Sequence, residues 1–233
     1  EIKVMPVGDI QWAGESSHTA LRMLKDHIQW GVDNGVWFIG MGDYIDHFSP
    51  SNRATLRAGK LYDTALEGID QLAHMRVKEL YEKALAPSKG RWLGLLEGHH
   101  FHQYKTGITS DMELAEMLGT VHLGTSAYLR LAFKNTPRGA SQTAENGDVL
   151  IWAHHGHGSA QTPGAVLNKL QRVSARWEGD IFIMGHAHTK ESTIIDRVIP
   201  VWNEPHRLAH RSVVLACTGG FLKGYVEHSR DGL

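Results

Sequence analysis

A chain of 233 residues with 42% apolar and 21% charged residues can bury a substantial core, and its length suits one domain, residues 1–233, better than two. A net charge of −1 excludes a surface dedicated to coating nucleic acid, though not a local basic patch. A single cysteine excludes an intrachain disulfide and a thiolate cage, and no apolar run reaches the length of a membrane span. The expectation is therefore a cytoplasmic protein with no membrane partner.

Residues Ile2 to Val7 read as a first strand that ends at Gly8-Asp9-Ile10-Gln11. The start opens directly on this strand, so no signal peptide is expected, and the lack of an initiator methionine suggests trimmed numbering or a fragment. Ser16 and Ser17 offer a cap for a helix whose apolar face is Ala20, Leu21, Leu24, Ile28 and Trp30. Asn34-Gly35 turns the chain into a second strand, Val36-Trp37-Phe38-Ile39, which leads to Gly40-Met41-Gly42-Asp43-Tyr44-Ile45-Asp46. This strand–helix–strand opening predicts a parallel pair with a right-handed crossover. A polar, basic stretch follows: His47, Arg53, Arg57 and Lys60. It reads as a guide for a polyanion or, more simply, as a solvated helix face or disordered insert. A long helix is expected from about Tyr62 to Ala86, stopped by Pro87.

The third strand, Trp92 to Leu96, ends at Glu97-Gly98-His99-His100. A short helix is predicted over Asp111 to Leu118, and strands of a second sheet over Val121 to Leu123 and Tyr128 to Phe133. Asn135 to Gly147 reads as a polar hairpin loop. Val149 to Ala153 is a buried strand ending at His154-His155-Gly156-His157-Gly158. A helix from Ala165 to about Trp177 precedes the strand Ile181 to Met184, which ends at Gly185-His186-Ala187-His188. The tail, Ser192 to Trp202 and Arg211 to Val226, alternates as antiparallel strands do. The fold class is α/β: a four-layer αββα sandwich of two mixed β-sheets flanked by helices.

Histidine is abundant, with 16 copies, and many sit beside glycine at strand ends. Open α/β sheets place their ligands at the carboxyl edge of the strands, where each of these groups falls. A lone aspartate after glycine is an ordinary turn former, and a lone strand-end histidine is usually structural. Five such sites in one chain point instead to a dinuclear metal centre held by oxygen and imidazole donors. Asp43 has two oxygens that can each face one cation.

The series Asp9-Ile10-Gln11, Gly42-Asp43-Tyr44-Ile45-Asp46, Gly98-His99-His100, His154 and Gly185-His186-Ala187-His188 resembles the calcineurin-like metallophosphoesterase superfamily, and over Gly98 to Leu131 the chain resembles, more weakly, its bacterial and phage members. The second and last motifs match fully; the first and third each depart at one ligand. The resemblance implies a phosphoric ester hydrolase with two divalent metal ions, manganese first, with zinc, iron or magnesium as alternatives. One metal would be held by Asp9, Gln11, Asp43 and His188, the other by Asp43, His99, His154 and His186. His155 competes with His154, which directly follows the strand. His100 falls where the family assists the leaving group, and Asp46 where the family orients that histidine. A hydroxide held by the metals would attack phosphorus. His102 and His157 would line the substrate pocket, or are polar loop residues. Gln11 offers an amide oxygen for an imidazole and His99 the reverse, so the three-histidine position should favour zinc or iron and the oxygen-rich one manganese or magnesium.

The expected substrate is a phosphate ester, with a phosphodiester or nucleic acid first. A phosphomonoester of a nucleotide or small phosphate is the runner-up. A metal-binding scaffold without catalysis is the reading from another class, supported by Gln11 and His99 and opposed by the retention of Asp43, His100, His154, His186 and His188. A mononuclear zinc hydrolase would leave Asp9 and the extra histidines unexplained.

Overall fold

Each short apolar run of the first hundred residues becomes a strand that ends in a candidate ligand. The computed structural model describes residues 1–15, 18–59, 61–133, 148–158, 162–200 and 207–223, with Arg57 and Pro163 described by backbone alone. Strands β1 (Val4–Val7), β2 (Trp37–Gly40) and β3 (Trp92–Leu95) form a parallel sheet in that order. Val4 pairs with Trp37, and Phe38 with Trp92. The expectation of two mixed sheets is corrected here: the first sheet is wholly parallel among the described residues. The reason is connectivity. Helix α1 (Leu21–Asp33) links β1 to β2, and α2 (Pro50–Ala58) and α3 (Asp63–Leu80) link β2 to β3, and such helical crossovers return the chain parallel.

The second sheet is mixed. Its strands are β4 (Ser126–Ala132), β5 (Asp148–His154), β6 (Ile181–Met184), β7 (Lys190–Pro200) and β8 (Leu208–Thr218), in the order β4-β5-β6-β8-β7. β5, β6 and β8 run parallel, while β4 and β7 are antiparallel edge strands. Helix α4 (Ser110–Leu118), α1 and the end of α3 cover the first sheet, through Leu114, Leu24, Ile28, Val77 and Leu80 packed on Phe38 and Trp92. Ile39, Met41 and Leu96 meet Ile151, Ala153 and Ile183 between the sheets. Val166 and Leu170 of helix α5 (Pro163–Ser174) cover Phe182, Val213 and Leu215 on the far side. The layering is α, β, β, α, as the sequence implies.

The basic stretch after Asp46 holds a helix, α2, one of the forms expected there: Ser49 caps it by accepting from the Asn52 amide at 3.3 Å, and Pro50 opens it. Two local expectations change. The long helix stops at Leu80 and continues as a π-helical turn, Tyr81–Leu85, and a 3₁₀ turn, Ala86–Ser88. The expected strand at Val121 to Leu123 is reduced to one bridge, His122 to Leu95. The Ser16–Ser17 cap, the 135–147 loop and the outer parts of the tail lie outside the described residues. Among those described, no helix is long and apolar enough to cross a membrane.

Candidate metal centre

Parallel strands deliver their ends to one side of a sheet, so β1, β2 and β3 bring Asp9, Asp43 and His99 together. Backbone bonds fix the first two tips side by side: the Asp9 amide donates to the Gly42 carbonyl and the Gln11 amide to the Asp43 carbonyl, each at 2.9 Å. Gly42, at φ +92°, lets the chain leave β2 sharply; a Cβ there would lie 2.6 Å from His155 Nδ1. Among the described residues, only five that are not glycine have positive φ: Asp9 at 49°, Gln11 at 49°, Asp43 at 53°, His186 at 66° and His188 at 52°. All five are candidate ligands. Each left-handed non-glycine residue costs about 1 kcal/mol or more, and such strain gathers at functional sites.

Asp43, His99, His155 and His186 each present a ligand atom, all within 4.8 Å of one another, and these four residues could hold a metal ion. Asp43 Oδ1 accepts the backbone amides of His99 and His100, the latter at 2.9 Å. Its Oδ2 faces His155 Nε2 at 3.2 Å, yet both atoms are buried without a hydrogen bond. His99 Nδ1 and His186 Nδ1 face each other at 3.2 Å. Buried polar atoms are nearly always satisfied, so the lone pairs of His99 and His186 converging beside the Asp43 carboxylate fit a cation better than they fit one another. Oδ1 carries both amide bonds, which leaves Oδ2 the more available oxygen of Asp43.

The structure brings His155 to this group and not the favoured His154. The cause is the two-residue period of a strand. His154, the last residue of β5, shares a face with Trp152 and lies parallel to that ring at 5.5 Å. Its Nδ1 accepts the Gly156 amide at 2.6 Å. His155 follows Ile151 and Ala153 onto the face between the sheets, where it is 2% exposed and its Nδ1 bonds the Met41 carbonyl at 2.6 Å.

The other set is looser. The Asp9 carboxylate is fully buried and accepts the His186 amide at 3.1 and 3.0 Å on its two oxygens. His188 Nε2 lies 3.4 Å from Asp9 Oδ1, with its side chain 32% exposed. Gln11 is buried, and its backbone carbonyl accepts the Thr19 hydroxyl at 3.0 Å. Asp9, Gln11 and His188 thus stand on neighbouring turns beside the tighter group.

His100 and Asp46 meet: Nδ1 lies 2.8 Å from Oδ1. The pair is braced from α3, where Arg76 Nη1 donates to the Asp46 carbonyl at 2.6 Å, and by the His47 amide donating to the His100 carbonyl at 3.2 Å. Asp111, which the sequence reading missed, is buried beneath this loop and accepts the Gly98 amide at 3.0 Å. A cap-like aspartate at the start of a short helix gave no sign of that role. Arg53 turns inward, its Nη1 donating to the Phe48 and His99 carbonyls at 2.6 Å and to Phe101 at 3.0 Å. It therefore holds the loop together; the Arg57 side chain and Lys60 lie outside the described residues. His102 is likewise internal, bonded to Asp70 at 2.6 Å, whereas His157 is exposed.

Burial sets the electrostatics. It pushes the Asp9 carboxyl up to about 7 and the His186 imidazole down to about 4, and it lowers His99 and His188. Neutral imidazoles offer the lone pair that a metal needs. Burial opposes the charged form of His155, but the adjoining Asp43 carboxylate wins and holds it at about 9. Burial likewise works against the Asp43 charge, and His155 and His100 overcome it, so its carboxyl stays ionised. The hydrogen bond that its ring donates to Asp46 raises His100. Burial lifts Asp111 to about 7.

Set against known proteins, the chain matches no family model and no curated sequence.

Proposed function

We propose that this chain is a phosphoric ester hydrolase that works with two divalent cations, manganese first, and acts on phosphodiesters, nucleic acid among them. The observation that carries the reading is one carboxylate serving two purposes. Asp43 Oδ2 points into the group of His99, His155 and His186, while Asp43 Oδ1 binds the amide of His100, which is itself paired with Asp46. A ligand group and an acid–base pair are thus fastened to the same side chain.

Asp43, His99, His155 and His186 would hold one cation, and Asp9, Gln11 and His188, with Asp43, the other. When bound, such a pair lowers the pKa of water and draws charge from phosphate oxygens. The chain's own residues supply orientation and a proton. Asp46 holds His100 Nδ1, which fixes the ring and leaves Nε2 free for the leaving oxygen. The same contact favours the protonated imidazole, the form that can donate. The lone cysteine keeps the cytoplasm as the proposed location.

The test is a panel assay with manganese, using bis-p-nitrophenyl phosphate, p-nitrophenyl phosphate, single-stranded DNA and cyclic nucleotides. Preference for diesters supports the proposal, and preference for monoesters moves it to a phosphomonoesterase. No turnover by metal-loaded protein would leave the non-catalytic scaffold.

A further inference from the structure

A cavity of about 360 Å³ lies against the two loops that carry Asp46 and His100. That is within the span of small-molecule pockets, about 300–1,000 Å³. Its walls come from α2, α3 and residues 102–105. Two links tie it to the pair. Phe48 lines it two residues after Asp46, and His102 lines it two residues after His100. Arg53 lines it as well, while its Nη1 holds the carbonyls of Phe48, His99 and Phe101 and its guanidinium lies 4.0 Å over the Phe101 ring. The cavity and the pair that would act on a departing oxygen are therefore built from the same two loops.

The lining has a definite chemistry. Phe48, Leu56, Leu61, Leu66, Ile69 and Tyr104 make it apolar, with two aromatic rings among them. Of the polar groups that line it, His102 is bonded to Asp70 at 2.6 Å, Tyr104 through its hydroxyl to Glu113, and Lys105 faces Asp63 and Glu67 at 3.6 and 3.7 Å. Such a space gains by desolvating a flat apolar group and offers little to a sugar.

We propose that this cavity receives the organic part of the leaving group, and that the preferred substrates are phosphate esters whose leaving group carries a flat apolar ring. The proposal rests on the phosphoesterase reading and names the substrate side of that site. It also gives α2 a purpose, since Leu56 faces the cavity while Arg53 fastens the helix to the His99–Phe101 loop.

The experiment compares two methyl phosphodiesters that differ only in leaving group, naphthol or trifluoroethanol. Leu61→Trp fills the cavity from a position 42% exposed, where the larger ring can be accommodated. Taking the ratio of variant to wild type for each ester cancels intrinsic reactivity. The expected result is a loss of about tenfold or more in kcat/KM on the naphthyl ester, the scale of losing a buried apolar contact, against about twofold or less on the other. Equal changes on both esters, or none on either, overturn it. Leu56→Asn, which makes the wall polar, should act in the same direction and covers a misfolded Leu61→Trp. Saturation transfer from protein to free naphthol in ligand-observed NMR reads the cavity without turnover. If neither ester is hydrolysed, the phosphoesterase reading falls. Transfer that is present in the wild type and lost in Leu61→Trp would still support the ring site, and absent transfer would overturn it.

Discussion

Replacing each of the adjacent histidines by alanine separates two outcomes that the sequence alone left together. His155 is 2% exposed, faces Asp43 Oδ2 at 3.2 Å and bonds the Met41 carbonyl at 2.6 Å. Its removal strands a buried carboxylate, which costs about 3–5 kcal/mol where one partner of a buried ion pair is lost. The Met41 bond adds about 1 kcal/mol. His154 is half-buried and held neutral by burial, at about 4. It forfeits one bond to the Gly156 amide and its contact with Trp152, so His154→Ala should cost only about 1–2 kcal/mol. Urea denaturation of the metal-free proteins measures both costs. Competition with a chelator for manganese and zinc then reads the ligand itself. His155→Ala should lose the tighter metal, and His154→Ala should keep it. Metal loss in His154→Ala with retention in His155→Ala would refute the assignment.

His100→Ala should keep its metal content but lose about 10²–10⁴-fold in turnover on diesters with poor leaving groups, and much less on p-nitrophenyl esters. A uniform loss across leaving groups would count against proton supply. Gly98→Ala should be among the most damaging single changes, because a Cβ there would overlap the Asp43 amide and Oδ1, both held by the fold. Its metal content and melting temperature should both fall sharply. Asp111→Asn should stabilise the metal-free protein in a pH-dependent way. Burial holds the carboxyl near 7 against an ordinary 3.8, so its ionisation weakens the fold progressively as pH rises between those values and by a constant amount above them. At about 1.4 kcal/mol per pH unit, the advantage of asparagine approaches about 4 kcal/mol at pH 8 and vanishes near pH 4. A difference that does not vary with pH would contradict the burial argument.

Most of the layered fold was legible because apolar runs bounded by glycine mark buried strands, and β1, β2, β3, β5 and β6 all announce themselves that way. Asp9, Asp43, His99 and His186 were legible for the same reason, as strand ends. The choice between His154 and His155 was decidable in principle: Trp152 and His154 share a face, and Ile151 and Ala153 share the other. Proximity to the strand favours His154, and the two-residue alternation overrides it. Helix α2 was only half legible, because its polarity suits a solvated helix face and a disordered insert alike; of its described side chains, Arg53 and Leu56 line the cavity. Asp111 and Arg53 were not legible at all. Each acts on the backbone of a residue distant in sequence, Asp111 on Gly98 and Arg53 on His99, and no local pattern records such a contact.

The parallel first sheet sets an order of events during synthesis. Its pairings join Val4 to Trp37 and Phe38 to Trp92, and the Asp9 carboxylate waits for the amide of His186. Contacts over such separations form slowly, because long stretches of chain must close before they are rewarded. A nascent chain stopped after β5 would carry Asp43 and His99 yet lack His155 and His186, so the four-residue group that could hold a metal ion is complete only once the chain beyond β6 has emerged.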